Sequence, residues 1–257
     1  MIIKCNKQDK KREYNDMIQK FALFTVGVLG FLGISNFTQT KAIQAMEAID
    51  YPVVVEMFTS QSCSSCPPAD RVLGELVKND NVIGLSCNVT YWNYLHWEDT
   101  LSQGFCDTRQ RQYVRALKSR GPYTPQVFIN GDFTTVGSKG RTIQNAIENT
   151  HKIKLVQVSL NNKDANISLP DLPKGNYNIL LVPYGNDLTQ NIPSGENRGR
   201  TVHYTNPIVD IINLGKWEGE ARDFDYDLSK VADMTGLAVF IHQDHNTGKI
   251  IAAGKDK

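Results

Sequence analysis

An excess of charge of either sign is missing from this sequence. Its 257 residues carry 28 Lys and Arg against 27 Asp and Glu, a formal net charge of +1. Without a basic face there is no counterion release to drive nucleic-acid binding, so that class is excluded. Internal repeats and low-complexity stretches are also absent, and with 40% hydrophobic and 21% charged residues the chain is neither disordered, collagenous nor a multi-spanning membrane protein. Zinc-ligand spacing is lacking as well. Only one Cys-x-x-Cys occurs, with no well-spaced His pair to complete four ligands; His242 and His245 are three apart on a predicted strand and turn and read as surface residues. No metal and no bound cofactor is therefore expected.

What is present begins with a basic N-terminus. Met1 to Lys20 carries six Lys or Arg against three acidic residues, and Phe21 to Ile34 is apolar apart from Gly and one Thr. This is the n-region and h-region pattern of an export signal. At about 1.5 Å per helical residue the apolar run covers about 21 Å, short of the roughly 30 Å hydrocarbon core. Cleavage near Ala42 or Ala45 and a periplasmic or secreted product are expected; the alternative is an uncleaved signal that anchors the protein in the inner membrane. Export places Cys63, Cys66, Cys87 and Cys106 in a compartment where disulfides persist.

The length suggests two domains. Val53 to Phe58 reads as a buried strand, Ala69 to Val77 as a helix and Val82 to Val89 as a second strand, a βαβ unit. An aromatic and basic insert occupies about 90–121: Tyr91-Trp92-Asn93-Tyr94-Leu95-His96-Trp97, then a helix whose Arg109, Arg111 and Lys118 read as a solvated face. A hairpin turning at Asn130-Gly131 and a closing helix follow. From about Lys154 short strands separated by turn residues suggest a β-sandwich. The expected organisation is an export signal over 1–42, an α/β domain over 43–152 and an all-β domain over 153–257.

Cys63-Ser64-Ser65-Cys66 stands between a buried strand and a helix. A thiolate is the attacking species in disulfide exchange, and unpaired N–H groups and the dipole at a helix N-terminus favour it. Cys63 would attack and Cys66 resolve the mixed disulfide. The competing class is a binding module that captures copper or a partner protein without turnover, since two thiolates suit a soft metal; a purely structural bridge is the third reading. Cys87 and Cys106 form a candidate second disulfide that would close the insert onto the sheet.

Val53 to Phe58, the Cys pair, the following helix, Thr124-Pro125 before a strand, and Asn130-Gly131 together resemble the thioredoxin fold. The phrases EMFTSQSCSSCPPAD, YWNYLHW, RQRQY, YTPQVFING and GENRGR resemble, from about Val53 onward, a family of exported bacterial proteins catalogued as domain of unknown function 1223. That family pattern has a His and an Asp where this chain has Asn88 and Thr90, and usually no cysteine at Cys87 or Cys106. The resemblance implies a cis Thr124–Pro125 peptide facing the redox pair, with Thr124 and Pro125 meeting substrate backbone, and a thiol or disulfide-bearing protein, or a small thiol, as partner. It further implies that Glu56 is a buried proton acceptor behind the cysteines, against the plain alternative of an outward-facing carboxylate. Tyr91 and Trp92 are candidates for a substrate groove or for core under the insert, and the polar loop Gly195 to Arg200 for an anion site or a docking segment.

Overall fold

Three successive valines at 53–55 favour extended backbone, and Val53–Thr59 forms strand β1, buried along its whole length. The protein is described here from a computed structural model that covers residues 51–244 and 247–256. The expected export signal, Cys5 and His245 lie outside the described residues. Helix α1 (Pro67–Leu76) follows, with two prolines at its first two positions where their fixed φ suits the helix and their missing N–H costs nothing. It leads to β2 (Val82–Asn88), which pairs parallel to β1. Helix α2 (Gly104–Ala116) precedes β3 (Gln126–Ile129) and β4 (Phe133–Val136), and α3 (Gly140–Asn149) comes next. β3 is antiparallel to both β1 and β4, giving the order β2-β1-β3-β4. The β3–β4 turn holds Asn130 and Gly131 at φ 44° and 69°. A Cβ on Gly131 would stand 1.9 Å from the Gly248 carbonyl oxygen, so only glycine fits.

Alternation along β1 divides the first sheet into two apolar faces. Val53, Val55 and Met57 pack with Leu73 and Leu76 of α1 and Ile143 and Ile147 of α3. Val54 and Phe58 face the other way, with Tyr113 and Val114 of α2.

The remaining strands are β5 (Lys154–Leu155), β6 (Gln157–Asn161), β7 (Asp164–Leu169), β8 (Tyr177–Tyr184), β9 (Leu188–Asn191), β10 (Thr201–Tyr204), β11 (Ile212–Trp217), β12 (Arg222–Asp227), β13 (Gly236–Gln243) and β14 (Ile250–Lys255). They form a five-stranded sheet, β11-β8-β13-β14-β5, a three-stranded sheet, β12-β7-β6, and the β9–β10 hairpin.

The expected α/β thioredoxin-like domain followed by an all-β sandwich-like domain is corrected. The described residues are mostly strand, fourteen of them in four sheets, against three helices of 10, 13 and 10 residues. The reason lies in β8 and β13, which are apolar on both faces rather than alternating. Ile179, Leu181, Val239 and Ile241 pack toward Ala165 and Ile167 of β7. Leu180, Val182, Ala238 and Phe240 pack instead with Val54, Phe58 and Phe128 of the first sheet. The five-stranded sheet is thus a middle layer sharing a core with the first sheet.

Candidate functional site

The chain leaves β1 at Thr59 and turns through Ser60, Gln61 and Ser62, all buried, before reaching Cys63. The Cys63 N–H donates to Ser60 O at 3.2 Å, and the Cys66 N–H to Cys63 O at 3.1 Å. Cys63 and Cys66 are disulfide-bonded with their Cα atoms 5.4 Å apart. Cys63 retains 4% of its surface and Cys66 none, while Ser64 and Ser65 between them are exposed. A reagent from solvent therefore meets Cys63 first.

Helix α1 does not supply the thiolate stabilisation anticipated from its N-terminus. Its first two residues, Pro67 and Pro68, have no N–H, and the N–H groups of Ala69 and Asp70 both donate to Cys66 O, at 2.7 and 3.1 Å.

The Gly195–Arg200 loop, a candidate for an anion site or a docking segment, closes over this turn from the β9–β10 hairpin. Asn197, fully buried, donates from Nδ2 to both Gln61 O and Cys63 O at 2.8 Å. The Ser64 N–H donates to Glu196 Oε2 at 3.2 Å, and Arg200 Nη1 donates to Ser64 O at 3.2 Å and Asn197 Oδ1 at 2.9 Å. Gly195 has φ 72° and lies so near Leu95 O that a Cβ would stand 2.9 Å from it. The sequence signal for this clamp is the density of hydrogen-bonding side chains between two glycines. Asn197→Ala removes two bonds worth about 1 kcal/mol each, so alkylation of reduced Cys63 by iodoacetamide is expected to accelerate about tenfold or more; an unchanged rate would mean that the loop does not limit access.

Gln126 pairs with Phe58, which puts Pro125 opposite Thr59, at the end of β1 from which the cysteine turn departs. The Thr124–Pro125 peptide is cis. Trp92 Nε1 donates to Thr124 Oγ1 at 2.7 Å, and Tyr91 lies 5.6 Å from Trp92 between ring centroids. Tyr91 and Trp92 are half-buried against the core, whereas Tyr94 is 71% exposed. Thr124, Pro125, Tyr91 and Trp92 are thus brought together.

Glu56 is not brought to the cysteines. It is buried, but shares the face of Val54 and Phe58, opposite to α1. There Arg109 donates from Nε to Glu56 Oε1 at 2.5 Å and from Nη2 to Oε2 at 3.0 Å, and the Tyr113 hydroxyl donates to Oε2 at 2.5 Å. The outward-facing alternative is corrected, because Glu56 is buried and forms an ion pair with Arg109. Arg109, read as part of a solvated face, is 3% exposed, and His242, read as a surface residue, is fully buried. Nδ1 of His242 lies 3.0 Å from Gly248 O and donates to it, which leaves Nε2 to accept from Arg109 Nη2 at 3.3 Å. Burial and the Arg109 charge hold this imidazole well below its usual pKa. Cys87 and Cys106 are disulfide-bonded on this same face, between β2 and α2. Asn88 Nδ2 donates to Asp99 Oδ2 at 2.9 Å, and the Thr90 N–H and hydroxyl donate to Asp107.

On the α1 side of the first sheet lies a group of polar side chains that spacing alone did not reveal. Ser86 pairs with Met57 and Asn88 with Thr59, so all four share the face that α1 covers. Asp70 of α1 is 2% exposed, and its carboxyl makes no hydrogen bond of ordinary geometry, the Thr59 hydroxyl being the donor that faces it; Ser86 Oγ, Asn88 Oδ1 and Thr205 Oγ1 are likewise buried and unpartnered. Burial pushes the Asp70 carboxyl up to about 8, offset in part by the Thr59 hydroxyl facing it and reinforced by the Asp99 charge. Tyr204 of β10 is raised by burial and by the same two carboxylates. Among the described residues no group of three or more His, Cys, Asp or Glu is placed to hold a metal ion, and no helix is long and apolar enough to cross a membrane.

The family model described as protein of unknown function (DUF1223) matches residues 54–242. The fold is similar to the crystal structure of a protein from Agrobacterium tumefaciens, with a TM-score of 0.71 and 29% identity over 82% of this chain and 95% of that one. No curated protein matches.

Proposed function

The chain belongs to the family of proteins of unknown function DUF1223, and since that membership brings no activity with it, we propose from the geometry of the site that the protein is an exported thiol–disulfide oxidoreductase working through Cys63 and Cys66. The observation that carries this reading is a disulfide in the turn entering α1 in which Cys66 is fully buried while Cys63 keeps 4% of its surface beside the exposed Ser64 and Ser65. A partner thiolate attacks Cys63 Sγ, the Cys63–Cys66 bond breaks, and Cys66 leaves as a thiolate that takes up a proton. A second partner thiolate then attacks the partner sulfur of the mixed disulfide, and Cys63 departs. Two thiols are oxidised to one disulfide while the protein pair is reduced to two thiols, and every electron stays on sulfur, so the exchange requires no bound cofactor. The reverse sequence reduces a partner disulfide. Thr124, Pro125, Tyr91 and Trp92 would border the partner, a thiol or disulfide-bearing protein or a small thiol. Export is supported by two disulfides, which persist in oxidising compartments.

The test is an asymmetry between two variants. Cys66→Ser, reduced and mixed with a disulfide-bearing protein, is expected to accumulate a mixed disulfide on Cys63, whereas Cys63→Ser forms none. Equal inertness of the two variants points to a structural bridge, and equal loss of copper affinity to a capturing module; either result overturns the proposal.

A further inference from the structure

Disulfide exchange at Cys63 sets a chemical requirement at Cys66. Cys66 departs as a thiolate into a fully buried position, where an uncompensated charge is costly. The N–H groups that might receive it are missing or already engaged at Pro67, Pro68, Ala69 and Asp70. Glu56, the buried acid of β1, is on the far side of the sheet and paired with Arg109. A neutral acid within reach of Cys66 Sγ would meet the need.

Asp70 stands four residues after Cys66 on α1, and its N–H donates to Cys66 O. Residues four apart on a helix have Cβ atoms roughly 5–6 Å from each other. Helical side chains also tilt back toward the N-terminus, so the Asp70 carboxyl covers the turn that carries Cys66. The groups around it carry no cation to hold it ionised: Asp99 from the loop before α2, Tyr204 and Thr205 from β10 and its end, and Thr59, Ser86 and Asn88 from the first sheet. The cation that acts on it, Arg71, is exposed on α1 and lowers its pKa least of the causes at work. Apart from the Thr59 hydroxyl that faces it, the buried carboxyl meets no donor, an arrangement costly for a carboxylate and tolerable for a carboxylic acid.

We propose that Asp70 is the proton donor to Cys66 Sγ when the Cys63–Cys66 bond opens, and the acceptor of that proton when the bond re-forms. This inference rests on the exchange reading above. In the opening step the carboxylic acid O–H gives its proton to the departing sulfur, leaving a carboxylate and a Cys66 thiol. In closing, the carboxylate removes the thiol proton and the resulting thiolate attacks Cys63 Sγ, expelling the partner thiolate. The acid form, present below about 8, serves the opening step, so opening slows as pH rises through that value once the reagent's own ionisation is divided out.

The experiment measures reduction of the full chain by dithiothreitol, followed by acid quench and alkylation, with rates expressed per reagent thiolate. General acids contribute typically a hundredfold or more to poor leaving groups, and a thiolate is a better one, so about tenfold is expected. Wild-type rates should fall about tenfold across pH 8, and Asp70→Asn should show the lower rate throughout with a flat profile. A wild-type protein that dithiothreitol reduces with a flat profile overturns the Asp70 role alone; one that it cannot reduce at any pH while folded overturns the exchange reading as well. Should Asp70→Asn fail to fold, carbon-13 titration of the wild-type Asp70 carboxyl decides. Its midpoint should move on reduction, because a Cys66 thiol has appeared beside it, and an identical midpoint in both redox forms refutes the assignment.

Discussion

Arg109→Met is expected to destabilise the protein by about 3 to 5 kcal/mol, because it strands the Glu56 carboxylate at a site only 1% exposed with the Tyr113 hydroxyl as its remaining partner. The pair occupies the shared core between the first sheet, α2 and the five-stranded sheet, and His242 of β13 accepts from the same guanidinium. Loss of Arg109 thus disturbs both layers at once. Urea unfolding followed by tryptophan fluorescence measures it as a lower midpoint at unchanged slope. Glu56→Leu together with Arg109→Met should recover much of the loss, since removing both charges leaves nothing buried and uncompensated. A single variant as stable as the wild type would show that the network holds no charge.

The second large effect concerns Cys87 and Cys106. Their Cα atoms are 5.5 Å apart, within the span a disulfide requires, and both side chains are fully buried. The bond closes a sequence separation of 19 residues and pins α2 to β2. By loop-closure entropy its removal in Cys87→Ala with Cys106→Ala should cost about 3 kcal/mol. Since Arg109 lies three residues beyond Cys106 on the same helix, part of that cost should appear as faster hydrogen exchange along α2. A double variant with the wild-type urea midpoint and unchanged exchange in α2 would contradict the expectation. Neither substitution touches the Cys63–Cys66 turn, so the trapping behaviour of Cys66→Ser should survive in this background.

Local chemistry announced several parts of the site before any tertiary contact was known. Cys63 and Cys66, three apart ahead of Pro67, commit the chain to a turn followed by a helix, and the valines of β1 commit the preceding residues to a strand. Asn130 and Gly131 tolerate positive φ and mark their turn. Asp70, in contrast, looks in sequence like an acidic residue in the first turn of a helix, the position where solvated carboxylates are common. Only the hairpin that carries Tyr204 and Thr205 over α1 makes it a buried acid.

The sequence by itself determined several of the strands, among them β1, β2 and β3, the helix that follows Cys66, the place of two cysteines three apart ahead of that helix, and that the chain carries no charge excess to attract nucleic acid; β7, β9, β11 and β12 bore no such mark. Those properties depend on neighbours within a few residues and on composition. The tertiary structure alone decided how the layers share a core, that Glu56 faces Arg109 rather than the cysteines, that Asn197 reaches back 134 residues to hold Cys63 O, and that Asp70 loses its solvent. Strand periodicity states that alternate residues are buried on opposite faces but not what covers each face. Burial, and with it the protonation of a carboxylate, depends on which distant segment arrives.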